Sequence, residues 1–137
     1  MKKIFGIIAI ALLFSFAGTQ EVIAQDNWEI KVTWEDGCDP CQEITGHQYV
    51  VCLKIWDKCT ETVAYAENCV IKSSGAIDHT FEIGDICVPG IQQCFEVTAS
   101  VKKRCVSSQE IICQNAKMEL HSCNDIYYGF ELACNIP

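Results

Sequence analysis

The sequence predicts an all-β fold, a disulfide-rich antiparallel β-sandwich of about seven strands. Two observations carry the strands. Apolar and polar residues alternate with a period of two over several short runs, and turn residues separate those runs. No stretch keeps the 3.6-residue period of a helix for long. A third observation carries the stapling: 11 of the 137 residues are cysteine, all between Cys38 and Cys134. With 50% apolar and 20% charged residues the chain is too apolar to be disordered, and its length suits one domain.

The elements follow in order. Lys2-Lys3 precedes Ile4 to Ala17, fourteen residues interrupted only by Gly6 and Ser15. A charged start and an apolar run too short for a membrane span predict a secretory signal peptide over residues 1–24, cleaved after Ala24, with cleavage after Ala17 as the competitor. The Met-Lys-Lys start and the Ala-Gln junction resemble a bacterial signal. Residues 25–137 form the single predicted sandwich domain, ending in a short cysteine-bearing extension. Within it Trp28, Ile30, Val32 and Trp34 alternate with Glu29, Lys31 and Thr33, a half-buried strand that Glu35-Asp36-Gly37 ends. Tyr49, Val51, Leu53 and Ile55 form a second alternating set, which puts Cys52 and Trp56 on the opposite, less buried face. Trp28 and Trp34 belong to the core by the same parity, and Trp56 is the aromatic expected at an exposed contact. Thr62 to Ile71 leans toward strand and closes at Ser73-Ser74-Gly75, and His79 to Ile83 is a short strand before a Pro89-Gly90 turn. Phe95, Val97, Ala99 and Val101 give the clearest strand of the second half. Ile111 to His121 reads as strand, although Ala116 to Leu120 suits a helix equally, and Tyr127 to Leu132 is the last candidate. An offset of 53 residues aligns Trp28-Glu29-Ile30 with Phe81-Glu82-Ile83, and Cys52 with Cys105. That register reads either as an old duplication or as the shared grammar of alternating strands.

Charge narrows the function. The formal net charge is −8. Losing Lys2, Lys3 and Glu21 with the signal leaves 8 basic against 17 acidic residues, a net −9 over 113 residues. An acidic chain is a poor match for nucleic acid or for anionic lipid. The processed chain is therefore expected to be secreted or periplasmic and to engage neither nucleic acid nor membrane. Outside the cytosol its cysteines read as disulfide candidates: Cys38, Cys41, Cys52, Cys59, Cys69, Cys87, Cys94, Cys105, Cys113, Cys123 and Cys134. The count is odd, so one is expected unpaired, either buried and inert or joining two copies in a disulfide-linked dimer. Zinc is the rival reading. It rests on the single Cys38-Asp39-Pro40-Cys41 pair with His121-Ser122-Cys123 to complete a site, too few knuckles for a zinc fold.

Candidate chemistry is sparse. Cys38-Asp39-Pro40-Cys41 resembles the redox dithiol of thioredoxin-like enzymes, which set the first thiol at a helix N-terminus to activate it. Here Cys41 is followed by a short run to Gly46 and then a strand, so the helix is missing and a stapled loop is the favoured reading. His47, His79 and His121 stand in no nucleophile motif, and the pairs Ser73-Ser74 and Ser107-Ser108 lie in turn-like stretches. No phosphate-binding, dinucleotide or metalloprotease fingerprint is present, and no cofactor is expected. Asp36, Asp39 and Glu43 gather oxygen ligands of the kind calcium takes, and a solvated acidic loop explains them as well. Lys102-Lys103-Arg104, the one basic run, is expected to be solvated.

Several pieces together resemble a fibronectin type III-like domain, a member of the immunoglobulin-like sandwiches. They are Val32-Thr33-Trp34, Ile44-Thr45-Gly46, the strand Tyr49 to Leu53, Phe81 to Ile83, Pro89-Gly90, and Phe95-Glu96-Val97-Thr98-Ala99, spanning residues 28–120. The chain departs from that family in having Phe95 where a tyrosine is usual and in its many cysteines. The segment from Ile126 to Pro137 has no counterpart and reads as a stapled extra strand. The resemblance implies a sandwich, and such domains serve adhesion, ligand binding and spacing alike. The expected function is a secreted, non-catalytic binding or structural module for a protein or glycan partner. The alternatives are a thiol–disulfide exchange protein using Cys38 and Cys41, and a small secreted inhibitor or effector presenting the loop from Gly37 to Gly46.

Overall fold

A computed structural model describes residues 27–36, 46–123 and 127–134. Among the described residues seven strands lie in two sheets: β1 (Trp28–Asp36), β2 (His47–Asp57), β3 (Thr62–Ser73), β4 (Asp78–Gly84), β5 (Phe95–Cys105), β6 (Ile111–His121) and β7 (Tyr127–Cys134). One sheet has the order β4-β1-β7 and the other β3-β2-β5-β6. The described residues contain no helix, so Ala116 to Leu120 belongs to strand β6. The signal-peptide segment and the Cys38–Thr45 loop lie outside the described residues.

The core forms where the alternating runs of the two sheets meet. Trp28, Ile30, Val32 and Trp34 of β1, with Phe81 of β4 and Phe130 and Leu132 of β7, face Tyr49 to Ile55 of β2 and Phe95 to Val101 of β5. Trp28 meets Phe95 edge-on with ring centroids 5.0 Å apart, and Trp34 lies 5.4 Å from Tyr49. Both geometries suit the quadrupoles of aromatic rings. Trp28 and Trp34 are thus core residues, as their parity requires.

The turns follow their residues. Val88 accepts a hydrogen bond from the Ile91 amide at 3.3 Å across Pro89-Gly90, and Gly90 takes φ +77°. Proline then glycine at these places defines a type II turn, whose third residue needs a positive φ. The two hairpins of the larger sheet, β2–β3 and β5–β6, each turn through a non-glycine residue at positive φ, Glu61 and Gln109.

The topology has an internal two-fold relation. Exchanging β1, β2 and β3 for β4, β5 and β6 maps the order β3-β2-β5-β6, and the β4-β1 pair, onto themselves. The inward-facing residues of β2 and of β5 are alike odd-numbered, so a relation between these two strands needs an even offset. Such an offset does not align Cys52 with Cys105: Cys52 faces outward on β2, whereas Cys105 shares the inward parity of Phe95 to Val101. The offset of 53 residues therefore matches faces at Trp28 and Phe81, both buried, but not at Cys52 and Cys105.

β7 runs parallel to β1, from Glu29 beside Tyr127 to Asp36 beside Cys134. The C-terminal segment is thus an integral strand that covers one edge of β1 and adds Phe130 and Leu132 to the core.

Candidate binding surface

The disulfides tie an edge strand and the connecting loops. Cys52–Cys69 is a rung between β2 and the edge strand β3, with Cα atoms 4.1 Å apart. Cys59–Cys94 joins the β2–β3 turn to the residue before β5, and Cys87–Cys123 joins the β4–β5 loop to the end of β6. Cys105 and Cys113 are disulfide-bonded as well, and no described cysteine is free. Cys123 is thereby removed from the zinc reading, and His121 instead bonds Glu119 at 3.2 Å. Cys38, Cys41, Asp39 and Glu43, and the side chains of Asp36 and Cys134, lie outside the described residues. The redox, calcium and unpaired-thiol readings rest on them.

The other sequence candidates fall on structural duty. His79 packs edge-on against Phe81 at 4.6 Å, and burial, with Lys72 nearby, holds its pKa below the usual value against the opposing pull of Asp78. His47 meets Tyr49 edge-on at 5.4 Å. Ser108 accepts the Glu110 amide at 3.2 Å within the β5–β6 turn, as turn serines do. The basic run is not uniformly solvated. Only Lys102 and Arg104 point outward, while Lys103 has the inward parity of β5 and is 1% exposed.

Asp57 was not singled out from the sequence. It ends β2 with a fully buried side chain, and its Oδ1 accepts amide hydrogens from Cys59 (3.0 Å), Thr60 (3.4 Å) and Cys94 (3.1 Å). Burial alone would raise its pKa. Hydrogen bonds from the Thr60 side chain, the Cys94 amide, the Gln93 side chain and the Cys59 amide outweigh burial and hold it below the ordinary value. The signal was legible as an Asx turn, an aspartate two and three residues before amides that need acceptors. A carboxylate oxygen of Asp57 and the sulfurs of Cys59 and Cys94 lie within 4.8 Å of one another. Those sulfurs form a disulfide, which lacks the thiolate that ligates metal, so the group acts as a cap for the turn.

The two outward faces of the sandwich differ in character. On the smaller sheet Glu29 stands opposite Glu82, Glu131 lies beside Thr33, and Lys31 pairs with Asp78 at 3.0 Å. That face is polar and mainly acidic. On the larger sheet the pairings align outward residues in rows: Val63, Trp56, Glu96 and Leu120, then Lys54, Thr98 and Met118, then Cys69, Cys52, Ser100 and Ala116, then Ile71, Val50, Lys102 and Gln114. Leu120 is 66%, Ile71 61%, Val63 58% and Met118 52% exposed. Trp56 is on this face and half-buried. Cys52 shares it as the sequence parity requires, yet it is buried because Cys69 covers it. Two shallow concavities lie on the other side of the molecule, one beside Glu29 and Glu82 and one between Lys31, Lys117 and Glu131.

No family model matches the chain, and no curated protein and no solved structure matches it significantly.

Proposed function

We propose that this chain is an exported, non-catalytic binding module that engages a protein or glycan partner through the outward face of the β3-β2-β5-β6 sheet. One observation carries the reading: Val63, Ile71, Met118 and Leu120 are each more than half exposed on the sheet face that also bears Trp56. Val63 and Ile71 line one edge of this face and Met118 and Leu120 the other, with Trp56 and polar side chains between them, and large apolar side chains left exposed among polar neighbours mark surfaces that bind. Aromatic residues and methionine are enriched at such interfaces. The disulfides suit an oxidising compartment outside the cytosol. The strand order supports the likeness to fibronectin type III domains, with β7 supplying the strand beside β1 at the far edge.

The test compares the protein with its Met118→Lys/Leu120→Lys variant, each immobilised and offered extracellular proteins, the wild-type protein itself and a glycan array. A ligand retained by the wild type and weakened at least about tenfold by the variant supports the reading. Ligands bound equally by both, or none bound by the wild type, would overturn it.

A further inference from the structure

Resting on that reading, we infer that a second copy of this chain occupies the face, in a two-fold dimer whose four-stranded sheets pack back to back. β5 carries opposite charges at its two ends. Its outward side chains run Glu96, Thr98, Ser100, Lys102, Arg104. Ser100 is the midpoint, and the carboxylate and the guanidinium stand four residues to either side of it. The neighbouring strand repeats this symmetry with apolar ends: Leu120 lies beside Glu96, and Ile111 beside Arg104.

An axis lying in the interface, across the strands at the level of Ser100, therefore sets Glu96 against Arg104 of the second copy. It sets Leu120 against the second copy's Ile111, which is itself 50% exposed. Each contact occurs twice, as an isologous interface requires. No two like charges face each other directly, since Lys102 falls opposite Thr98 and Lys54 opposite Val50, with Lys54 diagonal to the second copy's Lys102.

The charged ends are held in place beforehand. Lys58 bonds Glu96 at 3.2 Å. With the Gln48 amide oxygen toward it, Arg104 donates through Nε at 2.8 Å and Nη2 at 2.9 Å. The row on the axis, Ala116, Ser100 and the Cys52–Cys69 rung, consists of small side chains that let two faces approach. Four strands about 4.8 Å apart, with about ten residues each at about 3.3 Å, present a face of roughly 15 by 30 Å. Covering it on both copies removes on the order of 1,000 Å², the size at which specific interfaces begin.

The test is sedimentation velocity of the purified protein from micromolar to millimolar concentration, with denaturing non-reducing electrophoresis to detect covalent dimers. The expected result is a non-covalent dimer. Glu96→Arg alone and Arg104→Glu alone each weaken it about tenfold, because each reversal is made twice in a symmetric dimer. The double variant E96R/R104E restores it. Within one chain those positions are about 26 Å apart along a strand, so rescue demands a second copy.

Three outcomes would overturn the proposal: a monomer at every concentration, a dimer indifferent to the single reversals, or a dimer that is covalent. A monomer whose Met118→Lys/Leu120→Lys variant still loses another ligand rejects self-association and leaves the binding reading standing. A monomer whose variant binds as the wild type does rejects both.

Discussion

Asp57 is the residue on which the β2–β3 turn and the entry to β5 both depend, because three amides converge on one buried oxygen. Replacing it by alanine leaves those donors without an acceptor, a loss of about 2–3 kcal/mol for hydrogen bonds to a charged group. Chemical denaturation at neutral pH measures it, and an unchanged midpoint would refute the role. The pH dependence has a definite sign. The folded-state pKa lies below the ordinary 3.8, so the unfolded chain takes up the proton first as pH falls. The stabilisation is therefore complete above about pH 4 and lost as pH drops through the folded-state value. Asp57→Asn should flatten the wild-type decline in that acid range, and a parallel decline in both proteins would show that other carboxylates cause it. Sequence parity correctly placed Trp28 and Trp34 inside, since a strand with one buried face shows that face directly. It missed Lys103 because a run of three basic residues looks uniform until the pleat sends its middle member inward.

Strands were legible in proportion to how unequal their two faces are. In β1, β2 and β5 one residue in two is buried against the opposite sheet, so the period of two stands out. The edge strands β3 and β6 are largely exposed on both faces, which is why β3 read as weak and part of β6 suited a helix. The parallel docking of β7 on β1 was not legible, because it joins chain ends whose pairing no local pattern encodes. β3 has no fully buried side chain, so the Cys52–Cys69 rung adds to a ladder and a few half-buried contacts in holding it to β2. Replacing both cysteines by alanine, which avoids a stray thiol, should cost about 3 kcal/mol for a closed loop of this size. Thermal melting would fall while the far-ultraviolet β signature stays, and unchanged melting would show that the rung constrains nothing. The opposite expectation holds for β6. Met118→Lys/Leu120→Lys removes only exposed groups and should move stability by no more than about 0.5 kcal/mol. A larger loss in denaturation would mean that these residues support the fold, and the surface on which partner binding was argued would lose its basis.

The whole molecule couples its fold to an oxidising environment. Three of the bridges, among the described residues, close loops with sequence separations of 17, 35 and 36 residues. In the chain-entropy picture each contributes about 3–4 kcal/mol. Even allowing for overlap of the two longer loops, the sum rivals the roughly 5–15 kcal/mol by which a domain is stable at all. The bridges also hold what the core does not: the edge strand β3, the β2–β3 turn and the β4–β5 loop, none of which places a large, fully buried side chain between the sheets. Full reduction without denaturant should therefore unfold the sandwich at temperatures where the oxidised protein is intact. Tryptophan emission reports the change, because Trp28 and Trp34 are each 2% exposed and move into water on unfolding, shifting the spectrum to the red. Re-oxidation should reverse the shift. If reduced protein kept its blue emission and its cooperative melt, the alternating core of β1, β2 and β5 would suffice alone. The cysteines would then serve resistance to proteolysis at the loops rather than thermodynamic stability, a distinction that limited protease digestion of the reduced form would read directly.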